Sequence, residues 1–250
     1  MTNAQPEAQS RLVNFLAIGL LFFLPGLSAE ALVAGAGDAG PQILSRYLDA
    51  AERQQAALRG VQMEASIDAR VQKLEKMGHL TVLRSISKLG QITYKVLAST
   101  GDTTVRREVI ARYLTADSEP RDPGALAITP ANYRFRLKYV TGSEKGIVYI
   151  FQLTPRKKKV GLFKGELWVD GETGMPLRES GQLVKNPSIF IKSIRFVREY
   201  EIQGGVAIPK RFESAVDVRL VGRAELRIEF SAIVSQVAGA INPIREECNR

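Results

Sequence analysis

Residues 223–234 read RAELRIEFSAIV. Ala224, Leu226, Ile228, Phe230, Ala232 and Val234 fall on one side of an extended chain, and Arg223, Glu225, Arg227 and Glu229 on the other. Successive side chains of a strand point to opposite faces, so this pattern predicts a strand with one dry face and one wet face. The same reading recurs upstream. Val61, Met63, Ala65, Ile67, Ala69 and Val71 alternate with Gln62, Glu64, Ser66, Asp68 and Arg70, and Tyr133, Phe135, Leu137 and Tyr139 alternate with Arg134, Arg136 and Lys138. Further strands are predicted over residues 80–87, 91–98, 147–153, 162–170, 176–184, 192–202 and 207–220, with turns at Glu172-Thr173-Gly174 and Gly204-Gly205. Such spacing joins strands mostly as hairpins in an antiparallel sheet.

About ten strands sharing one apolar face must curl, because an open twisted sheet that wide rarely stays flat. Two helical patterns are available to cover the inner face. Pro41 opens the first, where its missing N–H costs nothing, and Ile43, Leu44, Tyr47, Leu48 and Ala51 share a side. Asp102 caps the second, with Val105, Val109, Ile110, Tyr113 and Leu114 on its apolar side. Residues 118–124 read as a polar loop. The expected fold is mainly β with few helices: an antiparallel sheet curled into an unclosed half-barrel with a helical plug or lid.

The chain has 250 residues, 45% of them hydrophobic and 24% charged, which excludes a wholly disordered chain and allows one large domain. Residues 12–24 (LVNFLAIGLLFFL) are too short to span a bilayer comfortably and lead through Pro25 and Gly26 to the small-residue site at Ala29. We read residues 1–29 as a signal peptide cleaved near Ala29, 30–40 as a flexible linker, 41–236 as the half-barrel and 237–250 as a C-terminal tail. The expected location is the periplasm. The single cysteine, Cys248, closes no disulfide and no thiolate metal site, and reads as a spare thiol.

The formal net charge of +9 favours anionic partners. Export and the 7% aromatic content argue against nucleic acid, whose single strands need aromatic stacking platforms. Arg156, Lys157, Lys158 and Lys159 form the sharpest charge feature, a hairpin tip between Pro155 and Gly161 suited to an anionic membrane surface. Catalytic constellations are missing. His79, the only histidine, is expected at an exposed hairpin turn after Met77-Gly78, with no GxSxG or HExxH beside it. The pairs Glu64/Asp68 and Glu225/Glu229 alternate with arginines on wet strand faces and read as surface charge ladders. We expect no catalytic residue, no metal and no cofactor. A transmembrane β-barrel is disfavoured by the charged end Arg245–Arg250 and the scarcity of aromatic girdles.

Residues 149–230 resemble the LolA-like outer-membrane lipoprotein-sorting proteins. The residues that carry the resemblance are Leu153-Thr154-Pro155, Gly165-Glu166-Leu167-Trp168-Val169-Asp170 and Glu172-Thr173-Gly174-Met175-Pro176, followed by the strand from Phe196 to Tyr200 and by Ile208-Pro209. The resemblance implies an unclosed barrel with helices in its mouth and an apolar cavity for lipid acyl chains. Independently, a curved sheet with one apolar face and little helix to fill it predicts a cavity, with Tyr133, Phe135, Leu137, Leu226, Ile228 and Phe230 as its candidate lining. The leading expectation is an exported monomeric carrier, or chaperone, that binds lipid or lipoprotein acyl chains for transfer between membranes. The alternative is a periplasmic regulator or sensor that binds a lipoprotein or protein partner through the same fold.

Overall fold

The computed structural model describes residues 36–120, 122–143, 146–219 and 222–236. The signal-peptide site, most of the linker and Cys248 lie outside the described residues. Helix α1 spans Ala36–Ala57. Strands β1 (Val61–Val71), β2 (Lys76–Ile86) and β3 (Ile92–Gly101) follow as a meander. A helical segment then runs from residue 103 to 118, as α2 (Thr103–Val105), a π-helical turn (Arg106–Ala111) and α3 (Arg112–Ser118). Helix α4 (Pro123–Leu126) precedes a second meander. This comprises β4 (Tyr133–Ser143), β5 (Gly146–Pro155), β6 (Phe163–Asp170), β7 (Pro176–Leu183), β8 (Ile191–Gln203), β9 (Val206–Val218) and β10 (Gly222–Gln236).

The strands form one sheet in the order β3-β2-β1-β10-β9-β8-β7-β6-β5-β4, every pair antiparallel. The two meanders meet where β1 pairs with β10, and β3 and β4 are left as the two edges. The sheet is an unclosed half-barrel. Its topology explains the plug. The chain leaves one edge at Gly101 and re-enters at the other edge at Tyr133, so the connection must cross the sheet, and it carries the helices at 103–118 and 123–126.

Burial follows the predicted alternation. Val61, Met63, Ala65, Ile67, Ala69 and Val71 are all buried, and their neighbours Glu64, Asp68 and Arg70 are exposed. On β10, Ala224, Leu226 and Ile228 are buried and stand opposite Val71, Ala69 and Ile67. Beyond Phe230 the register shifts. Ile233, not Ala232, stands opposite Met63, because β10 carries an extra residue there. A second shift follows between Met63 and Gln62, which faces Ser235, and alternation alone reveals neither irregularity.

The first helix starts earlier than its proline. Pro41 lies inside α1, five residues after Ala36, where it removes one intrahelical donor near the start of the helix. The second helix begins as expected: the Asp102 carboxylate accepts from the Val105 N–H at 3.0 Å and lies 3.0 Å from the Lys76 ammonium. These contacts, the Val105 N–H foremost, hold the Asp102 carboxyl below its ordinary range.

His79 is not at a turn. The β1–β2 connection is the short helical turn Gln72–Leu74 with Glu75 left-handed at φ 52, and His79 lies within β2 opposite Asp68. The glycine that suggested a turn serves another purpose. A Cβ on Gly78 would meet Arg106 Cγ at 2.9 Å and Val105 Cβ at 3.3 Å, so the missing side chain lets the helical segment lie against β2.

Candidate functional site: the concave face

Two apolar clusters occupy the concave face. The first gathers Ala65, Ile67, Val82, Phe212, Leu226 and Ile228 from the sheet beneath Val105 and Ile110 of the helical segment. The second gathers Phe151, Leu153, Phe163, Leu167 and Val169 beneath Ile43 and Tyr47 of α1. Phe196 on β8 packs against both. It stands edge-on to Phe163 at 4.9 Å and parallel-displaced to Phe212 at 6.3 Å, and Phe212 in turn stacks on Tyr113 at 5.4 Å. A continuous aromatic seam therefore joins the space under one helix to the space under the other.

A polar group sits on this seam. Arg198, two residues from Phe196 on the same side of β8, donates to Glu179 Oε2 at 2.9 Å, and the Tyr200 hydroxyl donates to Glu179 Oε1 at 2.9 Å. The guanidinium lies over the rings of Phe212 and Phe196, at 5.6 and 5.9 Å. Arg198 keeps 42% of its side chain exposed whereas Glu179 is buried. The cation therefore faces the open part of the concavity while its counter-ion lies beneath. Burial disfavours the Arg198 charge, but Tyr200 and Glu179 outweigh this and hold its pKa above the ordinary guanidinium value. Burial and the Glu179 charge push the Tyr200 phenol up. Sequence reading missed this group. Its signal was a cation in an apolar stripe, since Phe196, Arg198, Tyr200 and Ile202 share the alternation of one strand.

The two plugs are held differently. The residues that carried the family resemblance form the seat of α1. Asp170 Oδ1 accepts from the Thr173 N–H at 2.7 Å and its hydroxyl at 2.6 Å, which shapes a turn ending at Gly174, φ 74. A Cβ there would lie 2.7 Å from the Arg46 carbonyl oxygen, so only glycine lets α1 approach. Arg46 then donates to the carbonyls of Gly171 and Glu172, and Gln54 donates to the Ala207 carbonyl at 2.9 Å. The helical segment is held instead by side chains. Asp117 accepts from the Tyr94 hydroxyl at 2.6 Å and lies 3.5 Å from Arg84, a cation on the concave side of β2.

The remaining candidates fall in several places. Leu226 and Ile228 are in the first cluster with Phe230 against its margin, and Tyr133 is in the second with Phe135 and Leu137 against its margin. The six residues thus divide between the two ends of the concave face. Tyr133 also takes a structural bond, its hydroxyl accepting from the Phe163 N–H at 3.3 Å. The basic run Arg156, Lys157, Lys158 and Lys159 is exposed in the β5–β6 turn. Arg156 belongs to the fold, because its side chain donates to the Pro130 carbonyl at 2.7 Å and its N–H to Asn132 at 2.8 Å.

The opposite face of the sheet is polar over β1, β8, β9 and β10. A groove of about 540 Å³ opens there, lined in part by Asp68, Arg70, Arg195, Glu213, Arg223 and Arg227. Arg227 lies against Glu213 and Glu229, and Arg223 against Glu225, as cross-strand and same-strand ladders. His79 Nδ1 is 2.9 Å from Asp68 Oδ1 and its Nε2 is 3.3 Å from the Thr81 hydroxyl. This imitates the order of a catalytic triad, on the outer side of β2 between its neighbours β1 and β3. Among the described residues, no group of acidic, histidine or cysteine side chains is arranged to hold a metal, and no helix is long and apolar enough to cross a membrane.

No family model matches this sequence, and no curated protein matches it. Solved structures do. The LolA superfamily protein NE2245 from Nitrosomonas europaea is 14% identical, with a TM-score of 0.38 over 78% of this chain and 92% of its own. A DUF1329 family protein from Desulfovibrio piger is 12% identical, with a TM-score of 0.46 over 81% of this chain and 95% of its own. A putative outer membrane lipoprotein-sorting protein domain from Vibrio parahaemolyticus is 10% identical, with a TM-score of 0.42 over 81% and 95%. The structures to which this chain is similar thus include proteins of the group that residues 149–230 resemble.

Proposed function

We propose that the protein is an exported, periplasmic carrier that holds lipid or lipoprotein acyl chains between the concave face of its sheet and the helices that cover it. The observation that carries this reading is the aromatic seam. Phe163, Phe196, Phe212 and Tyr113 form an unbroken apolar path between the two clusters, wide enough to be covered by two separate plugs. Each buried methylene of a chain laid along it contributes about 0.8 kcal/mol. Ile43, Tyr47, Val105 and Ile110 now fill the face, so a chain enters by displacing helix side chains rather than by filling an empty hole. Arg198 then stands where a polar headgroup would lie, beside the aromatic floor and open to water. The turn Arg156–Lys159 holds the molecule to an anionic membrane during transfer, with Lys157, Lys158 and Lys159 as the cations free to do so.

The test is the lipid itself. Mass spectrometry of organic extracts from the purified exported protein should find acyl lipid or acylated peptide in stoichiometric amount. Ile228→Glu, which puts a charge among the buried residues, should abolish it. Glu229→Gln, on the outer face, should leave it unchanged. Equal lipid content in the two variants, or none in the parent, overturns the reading.

A further inference from the structure

We propose that the open edge of β4 is a docking site for an extended, acidic segment of another protein, which adds an eleventh strand to the sheet. This does not depend on acyl-chain carriage.

Among the described residues, strand β4 has a strand neighbour on one side only, β5. The ladder shows which of its backbone groups are left over. Arg156 N–H donates to the Asn132 carbonyl, so Asn132 is a hydrogen-bonded position opposite Arg156, and Tyr133 faces Pro155, which has no N–H to give. Hydrogen-bonded and non-hydrogen-bonded pairs alternate in an antiparallel ladder. Arg134 and Arg136 therefore bond to β5, while Phe135 and Leu137 direct their N–H and C=O outward to the edge. Among the described residues nothing pairs with those groups.

The side chains select the occupant. Arg134 and Arg136 are exposed, lie two residues apart on the outer face and have no carboxylate partner among the described residues, unlike Lys138, which Glu166 holds at 2.7 Å. On the inner side Phe135 and Leu137 are half-buried against the cluster under α1, and beyond a register shift Tyr139 stands exposed on the outer face, opposite Ile150. A strand that fits must carry carboxylates on one face and apolar side chains on the other, in alternation. A second copy of β4 does not fit, because pairing two such edges sets Arg134 and Arg136 against their own kind. Cations at an edge deter self-association. Toward an acidic strand the same cations attract, and main-chain bonds supply the affinity. A lipid headgroup can match the charge but not the outward N–H and C=O groups. The opposite edge, β3, has Lys95 as its single cation and no such row.

The test uses the whole exported protein and a labelled eight-residue peptide of alternating Glu and Val, with a version N-methylated on every second residue so that it cannot donate to the edge. Binding at low salt should slow amide exchange at Phe135 and Leu137. N-methylation should weaken it by at least about tenfold, as should Arg134→Glu/Arg136→Glu, with the thermal midpoint of that variant unchanged. Equal binding of the two peptides, exchange protection at β3 instead of β4, or no binding at all overturns the proposal. So does a charge-reversal variant that loses binding to phosphatidylglycerol vesicles but keeps the peptide, which would make the patch a membrane surface.

Discussion

The two ends of the concave face are built from similar apolar side chains but are closed in different ways. Under α1, closure rests on backbone: a turn shaped by Asp170 and Thr173, a glycine that permits close approach, and arginine and glutamine side chains that donate to main-chain carbonyls. Under the helical segment 103–118, closure rests on a cap and on an ionic group, Arg84–Asp117–Tyr94, around a π-helical turn. Backbone-directed bonds need only the fold to be present, whereas the Asp117 group depends on charge and rotamer. The segment 103–118 also carries a π-helical turn, and π-helical turns are frequent at functional sites.

The comparison can be broken most forcefully at the residue both ends share. Phe196→Ala should lower stability by about 3–5 kcal/mol, since it opens a cavity in both clusters at once. Ile67→Ala and Leu167→Ala should each cost about 2–5 kcal/mol in urea unfolding. Their losses should add to within about 0.5 kcal/mol if the ends are separate, and a larger deviation would show one continuous core.

Next in size is the unequal hold on the two plugs. Asp117→Ala leaves Arg84 without its carboxylate and should cost about 1–3 kcal/mol, with faster amide exchange confined to residues 103–118. Gln54→Ala removes a bond between neutral groups and should cost about 1 kcal/mol, with faster exchange in α1. If Asp117→Ala speeds exchange in α1 as much as in its own helix, the two plugs are not independent.

Alkaline pH acts on both ends together. Burial raises the phenols of Tyr47 and Tyr113 above their ordinary value, and burial with the neighbouring Asp117 does the same for Tyr94. Tyr133 is pushed up to about 12 by burial. A phenol whose folded pKa is raised favours folding while it is neutral. The stability these groups contribute is complete below the ordinary value of 10.0 and falls as pH rises past it toward their folded values. Thermal midpoints should therefore fall steeply above about pH 10. Tyr94→Phe should soften that fall, and an unchanged slope would remove Tyr94 from the account. The smallest effect is at the basic turn. Lys157, Lys158 and Lys159 replaced together by Gln should change stability by no more than about 0.5 kcal/mol, since their side chains bond to no described residue. Replacing Arg156 as well should cost measurably more.

Periodicity alone determined most of the strands, the faces of their regular stretches and the two helical stripes. The alternation of β1 and β10 survives folding because one side must be dry and a one-residue slip would expose it. Asp102 was legible as a cap because its side chain bonds the backbone three residues on, a purely local event. The bulge after Phe230, the place of His79 within β2 and the purpose of Gly78 were decided only when distant segments met. An extra residue in a strand leaves no mark on composition, and a glycine that admits a helix is indistinguishable in sequence from one that makes a turn. The same holds for the concave face. That it would be apolar was written in the strands. That Phe196 would bridge two clusters, that Arg198 would lie on aromatic rings above Glu179, and that β4 would be left as an edge all depend on which strands pair across the sheet. Those pairings are contacts between residues far apart in the chain, and no local pattern encodes them.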